Sequence, residues 1–198
     1  MSLSDAAVVV CAGGGMLGAD PRAVCTVLTD VAHALGAEIG ATRAVVDAGW
    51  FGHDRLIGAS GVTISPALYL GLGVAGVPFH EIGRPVHVLS VNTDPAAPLS
   101  ARADLALRTD AVALLPELAA RLRGRAHGGR APGGRARASR APGVDLVVPR
   151  GTAHERLRAL TGVPSGPARP VEPLGAAAAA TALIGFLTHH GYLEESPK

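Results

Sequence analysis

Two glycine clusters, each directly following an apolar run, are the residues of this sequence best suited to chemistry. Ala6–Cys11 runs into Gly13-Gly14-Gly15, and Leu68–Gly73 runs into the turn from Gly73 to Gly76. Glycine lets a chain turn sharply from strand into helix, and backbone N–H groups exposed in such a turn bind phosphate. The first cluster does not complete G-x-G-x-x-G, and glycine turns after strands are common. On these residues phosphate binding and plain chain reversal are both open. No general acid–base pair or activated nucleophile accompanies the clusters. Cys11 and Cys25 lack metal-ligand or C-x-x-C spacing and read as reduced, buried, small hydrophobes.

The elements that position these turns follow from the apolar pattern. Val8, Val9 and Val10 favour an extended strand within Ala6–Cys11. Asp20-Pro21 starts a helix carried by Val24, Leu28, Val31 and Leu35 and ended by Gly36. Glu38–Ala44 holds a short strand, and Val45–Gly61 reads as loop. Leu68–Gly73, Val86–Val91 and Leu105–Leu107 are further strands, and Asp110–Leu122 is a helix with Val112, Leu115 and Leu118 inward. Strands alternating with helices or long loops predict an α/β fold with a mainly parallel, doubly wound sheet.

Composition narrows the class. Of 198 residues, 48% are hydrophobic and 3% aromatic, so Ala, Val and Leu must build the core. The net charge of +2 is a local property: six arginines (Arg123, Arg125, Arg130, Arg135, Arg137, Arg140) fall between 123 and 142 with no acid among them. The remaining residues are mildly acidic, which argues against nucleic-acid binding. The N-terminus has no signal-peptide pattern and no apolar run spans a bilayer, so the sequence reads as cytoplasmic with no membrane insertion.

Composition also divides the chain. Residues 123–143 are Arg, Gly, Ala and Pro without apolar period and read as a flexible linker, with a binding tail for an acidic partner as the alternative. Beyond them, 144–193 read as a small α-rich unit: a strand at Val144–Val148, helices at Thr152–Leu160 and Ala176–His189, and Thr152 with Glu155 at capping-box spacing. So few residues are marginal for independent folding, so this unit is expected to dock on something else.

The order of several motifs is more specific than any one of them. Ala41-Thr42-Arg43-Ala44-Val45-Val46-Asp47-Ala48-Gly49-Trp50 is followed by Ile57-Gly58-Ala59-Ser60-Gly61 and Ile64-Ser65-Pro66-Ala67-Leu68-Tyr69. Next come Gly73-Val74-Ala75-Gly76-Val77-Pro78-Phe79-His80, Asn92-Thr93-Asp94-Pro95-Ala96-Ala97-Pro98-Leu99, Ala103-Asp104 and Asp110. Residues 5–122 thereby resemble the C-terminal, FAD-binding domain of electron-transfer flavoprotein alpha subunits, whose runs are A-S-R-x-x-V-D-A-G-[WF], V-G-Q-T-G, V-x-P-x-L-Y, G-I-S-G-A-x-Q-H and N-x-D-P-x-A-P-I.

The resemblance implies a Rossmann-type, DHS-like NAD/FAD-binding domain, FAD as cofactor, and an electron carrier rather than an enzyme with its own substrate. It implies that Arg43 lies near the isoalloxazine ring, where a guanidinium would stabilise the negative charge of the reduced ring and raise its potential. It implies that Ser60 offers its hydroxyl to flavin N5, with Gly61 beside it, and that His80 stands near the O2 carbonyl. Gly73, Ala75 and Gly76 fall at the pyrophosphate, and Asn92 and Asp110 at the phosphate–ribose and adenosine ends. Each has a plainer reading: an Arg43–Asp47 surface pair, a turn at Ser60, a structural His80, an Asx turn at Asn92 and a helix cap at Asp110.

Departures from the family thin its polar contacts. Gly13-Gly14-Gly15-Met16-Leu17 replaces G-G-R-G-L, Ala59 and Phe79 replace glutamines, Ala75 replaces serine, and Pro78 removes a donor. Each lost contact weighs about 1 kcal/mol. Weaker FAD binding, a rewired site and a different nucleotide are all compatible with this; an AMP- or ADP-binding interaction module without redox activity is the alternative function. Family alpha subunits carry an N-terminal domain before this one, so the resemblance implies a beta-like subunit or another chain supplying that part, and a dehydrogenase donor. The Ala-rich helix with Gly191-Tyr192-Leu193 is similar in composition and placement to beta-subunit tails, which reach across to a partner.

Overall fold

The structure, a computed structural model, describes residues 2–58, 60–76, 82–123, 125 and 172–194. Five strands form one sheet: β1 (Val8–Ala12), β2 (Glu38–Ala41), β3 (Leu68–Leu72), β4 (His87–Asn92) and β5 (Leu105–Arg108). All pair in parallel, in the order β2-β1-β3-β4-β5. Every residue of β1 and β3 is buried, as the central strands of a parallel sheet covered on both faces require.

The side-chain period of two sorts β1 between the faces. Val8, Val10 and Ala12 join one core with α1 (Pro21–Leu35), α4 (Ala111–Leu122) and α5 (Ala176–His189). Val9 and Cys11 join Tyr69 and Val88 in a second core on the other face. That face is closed by short pieces: the 3₁₀ turn Leu3–Asp5, Ile57 and Ile64 from loops, and Leu99 of α3 (Pro98–Ala101). The sheet is thus wound on both sides, with long helices on one side only.

Local signals fix the helix ends. Asp20 caps α1 by accepting from Arg22 N at 3.1 Å, Pro21 opens the first turn, and Gly36 ends it in the left-handed region at φ 61°. Asp110 caps α4 by accepting from Val112 N at 2.8 Å. The α4 face differs by a step from the sequence expectation: Ala111, Leu114, Leu115, Leu118 and Leu122 are buried, while Val112 is half-buried. Leu115 and Leu118 face inward as expected, and Val112 packs against the core from its margin.

Two further expectations change. The strand expected over Glu38–Ala44 stops at Ala41, because Thr42 O accepts from Val45 N and Val46 N and starts α2 (Arg43–Asp47). The stretch read as loop therefore holds most of α2 and a 3₁₀ turn at His53–Arg55. The strand at Val144–Val148, the helix at Thr152–Leu160 and nearly all of the 123–143 segment lie outside the described residues.

The helix Ala176–His189 forms as expected, and its docking partner is this same chain. Leu174 N donates to Arg108 O at 2.9 Å, so Pro173 bridges the end of β5. From there α5 runs along α4 and buries Ala179, Ala180, Leu183, Ile184 and Leu187 in the α1–α4 core. Tyr192 and Leu193 close the same core.

Candidate functional site

Strand order reverses between β1 and β3, the position where open α/β sheets leave a crevice outside the carboxyl ends of their strands. Both glycine turns meet there. Gly13 N donates to Leu72 O at 2.8 Å and Gly15 N to Gly73 O at 2.9 Å. The contact is close because neither residue has a side chain: a Cβ on Gly13 would stand 2.2 Å from Gly73 O. Met16 N and Leu17 N bond back to Gly13 O and Gly14 O. Most donors of the first turn are therefore consumed in building the site's floor.

The second turn is arranged differently. Gly73 (φ 65°) and Gly76 (φ 79°) both adopt the left-handed conformation. Among the described residues the amides of Val74, Ala75 and Gly76 donate to nothing. Successive free N–H groups in such a turn form an anion-binding concavity. Asn92 holds the turn in place: its Nδ2 donates to Val74 O at 3.1 Å, and its Oδ1 accepts from Asp94 N at 3.0 Å.

A cleft of about 720 Å³ opens over these turns, within the usual range for small-molecule sites. Gly14, Gly15, Gly73, Ala75 and Gly76 form one wall, Thr42, Arg43, Ala44 and Asp47 of α2 and its cap another, and Leu56, Ile57, Gly58 and Ser60 the third. Arg43 Nη2 donates to Ser60 Oγ across the gap. Its Nη1 lies 3.9 Å from Asp47 Oδ1 with both side chains exposed, a pair worth little. Arg43 thus lines the cleft and also makes the surface pair that its plainer reading calls for.

Thr42 was not foreseen as a site residue. It lines the cleft, and its Oγ1 is buried with no hydrogen-bond partner. A buried hydroxyl without a partner costs free energy unless a ligand satisfies it. The available signal was its place beside Arg43, where the resembling motif carries serine, also a hydroxyl. Asp47 lines the cleft too, while sequence reasoning treated it only as a partner for Arg43.

Of the remaining expected residues, Gly61 turns beside Ser60 with its Cα packed on Leu56, leaving no room for a Cβ. Asn92 and Asp110 line up on the same carboxyl edge, after β4 and β5, but outside the cleft lining. Both make the Asx-turn and cap bonds that their plainer readings call for. His80 lies outside the described residues.

Comparison with known proteins gives this geometry its context. Residues 2–84 match the family model of the electron transfer flavoprotein FAD-binding domain. This stretch of the chain is similar to that domain. Protein FixB of Bradyrhizobium diazoefficiens is 41% identical over 119 residues, 59% of this chain and 32% of its own length. The probable mitochondrial electron transfer flavoprotein subunit alpha of Caenorhabditis elegans is 37% identical over 122 residues, 61% of this chain and 36% of its own. Electron transfer flavoprotein subunit alpha of Mycobacterium leprae is 37% identical over 125 residues, 62% and 38% respectively. The chain spans about a third of the length of these curated relatives.

FAD is the cofactor of the matched domain family, and the cleft fits it on its own observations. The Thr42 hydroxyl and the Ala75 and Gly76 amides, without hydrogen-bond partners among the described residues, and a wall without Cβ atoms at Gly14, Gly15 and Gly73 all suit a close-lying dinucleotide. Arg43 supplies the positive charge of the lining. Among the described lining residues there is no paired general acid and base. Among the described residues no His, Cys, Asp and Glu cluster suits a metal, and no helix is long and apolar enough to cross a membrane.

Proposed function

We propose that the chain holds FAD along the carboxyl edge between β1 and β3 and serves as an alpha-like electron carrier between a dehydrogenase and an acceptor. The observation that carries this reading is a cleft at the strand-order reversal, with Arg43 and Ser60 facing each other beside the Ala75 and Gly76 amides, which donate to nothing among the described residues. FAD, when bound, supplies reversible hydride and single-electron chemistry through its ring. The chain's residues do the rest. Arg43 presents positive charge to the ring, Ser60 a hydroxyl donor, and His80 a group for its carbonyl end. Val74, Ala75 and Gly76 offer N–H groups to the pyrophosphate, beside Gly73. Asn92 and Asp110 serve the adenosine end, and Gly61 shapes the Ser60 turn. A beta-like subunit, or a chain supplying a further domain, completes the carrier in a cytoplasmic setting.

The test is reconstitution. The purified chain is incubated with FAD, desalted and scanned for visible flavin absorbance. Retention of one FAD per chain is expected; a colourless protein after desalting overturns the reading. A second reading, an AMP- or ADP-binding interaction module, is favoured by a lining in which Thr42, Arg43, Asp47 and Ser60 are the only polar side chains among the described residues. Calorimetric titration with FAD and with AMP separates the two: binding of AMP without FAD supports the module.

A further inference from the structure

At the amino end of the sheet, opposite the cleft, rings from β4 and the C-terminal segment pack into one cluster. The His87 and His190 ring centroids are 4.2 Å apart at 50°. Phe186 lies 4.2 Å from His190 and 5.4 Å from His87, and His189 lies 4.9 Å from His190. The Tyr192 hydroxyl donates to Ala67 O at 3.1 Å and lies 2.8 Å from His87 Nδ1. With its one proton directed at Ala67, the phenol oxygen accepts from His87, so Nδ1 carries the hydrogen and Nε2 is left to take up another.

We propose that this cluster is a proton-operated latch that fastens α5 to the domain when neutral and releases it when His87 and His190 are both protonated. One proton fits, because an imidazolium stacked on a neutral imidazole is attractive. A second places two cations in ring contact at a half-buried seam, where like charges repel. His189 brings a third imidazole to the same helix end. Asp104, which accepts from Val88 N at 2.7 Å beside β4, is the carboxylate acting on the cluster and opposes release. On α4, the helix packed against α5, Arg121 is engaged by Glu117 at 2.5 Å. Burial first, then His87 and His189, push the His190 imidazole below its usual range of about 6.5, against the pull of Asp104.

The sign follows from linkage. A histidine whose pKa is lowered in the latched state binds more protons once released, so release gains as pH falls below about 6.5. Each extra proton taken up multiplies the opening constant by up to about tenfold per pH unit. Release uncovers the core side chains that α5 packs on α4 and the sheet edge at β5, Leu183 and Leu187 among them, so the apolar seam opposes it and the paired charges must act against that seam.

Hydrogen–deuterium exchange on the full chain from pH 8 to 5, corrected for intrinsic rates, tests this. Peptides of α5 should lose protection by tenfold or more between pH 7 and 5, while α1 keeps its own. In His190→Phe, which keeps the stack on Phe186 but cannot titrate, α5 protection should be flat with pH. His87→Gln, which keeps an amide donor for Tyr192, gives the same comparison should His190→Phe not fold. Unchanged α5 protection, parallel loss in α1, or an unaltered pH response in the variants would overturn the latch.

Discussion

The amide of Gly15 donates to the carbonyl of Gly73 at 2.9 Å, joining the turn after β1 to the turn after β3. The two glycine clusters, 58 positions apart in sequence, are therefore one structural unit with divided labour. The first turn closes the floor, and among the described residues the second leaves its Ala75 and Gly76 amides without an acceptor. The arginine missing from the first turn leaves this pairing intact, since the pairing is made entirely by backbone groups.

Gly13→Ala should cost ~3 kcal/mol or more, because its Cβ would fall 2.2 Å from Gly73 O and 2.5 Å from Val74 N, where only backbone can yield. Gly185→Ala, in the middle of α5 with nothing within 4 Å of the added carbon, should stabilise by ~0.5–1 kcal/mol. Urea denaturation of both variants measures the contrast; similar midpoints would contradict it.

Arg43→Ala should weaken FAD binding about tenfold, the loss of one charge-assisted hydrogen bond of ~1.5 kcal/mol. If the guanidinium favours the reduced ring by a similar amount, the two-electron potential drops by about 30 mV. Arg43→Lys keeps the charge but loses the planar fork and should fall between. Fluorescence titration reads the affinity and spectroelectrochemistry the potential. Ser60→Ala removes the cross-cleft acceptor and serves as the comparison.

Asp20 and Asp110 cap α1 and α4 through equivalent bonds, so replacing either with Ala should cost about 1 kcal/mol of stability. Only Asp110 stands on the carboxyl edge at β5, on the line that continues from the cleft. FAD affinity should therefore fall in Asp110→Ala and stay constant in Asp20→Ala. Equal affinities in the two variants would leave Asp110 as a cap alone.

The two thiols should differ in reactivity. Burial pushes Cys11 up to about 12, partly offset by its bond with Tyr69, and burial also raises Cys25 to a smaller degree. Iodoacetamide at pH 8 should label Cys25 slowly and Cys11 only after denaturant is added. Peptide mass spectrometry reads both sites in one experiment, and native labelling of Cys11 would show that the second core opens.

Much of the scaffold could be read from sequence because its signals are local. The valine run of β1, the Asp20-Pro21 start and the Gly36 stop each act within a few residues. Arg43, Ser60, Gly73, Ala75 and Gly76 were all foreseen in one place, and the cleft lining contains all five. What escaped was either too short or too distant. Five residues of α2 cannot display a helical period, so they read as loop. The use of Gly13 and Gly15 as floor depends on Gly73, and the packing of His87 on His190 joins positions a hundred residues apart. Neither pairing leaves a trace in the local pattern.

Pro173 beside Arg108 has a practical meaning for anyone shortening this chain. A sheet whose outermost strand ends bare invites another sheet to add to it, and a proline laid along that strand offers no N–H with which to continue. The same segment begins the helix that covers the apolar flank of α4. A chain cut back to the region shared with its relatives would lose both guards at once and should self-associate, so the C-terminal residues belong in any version prepared for study.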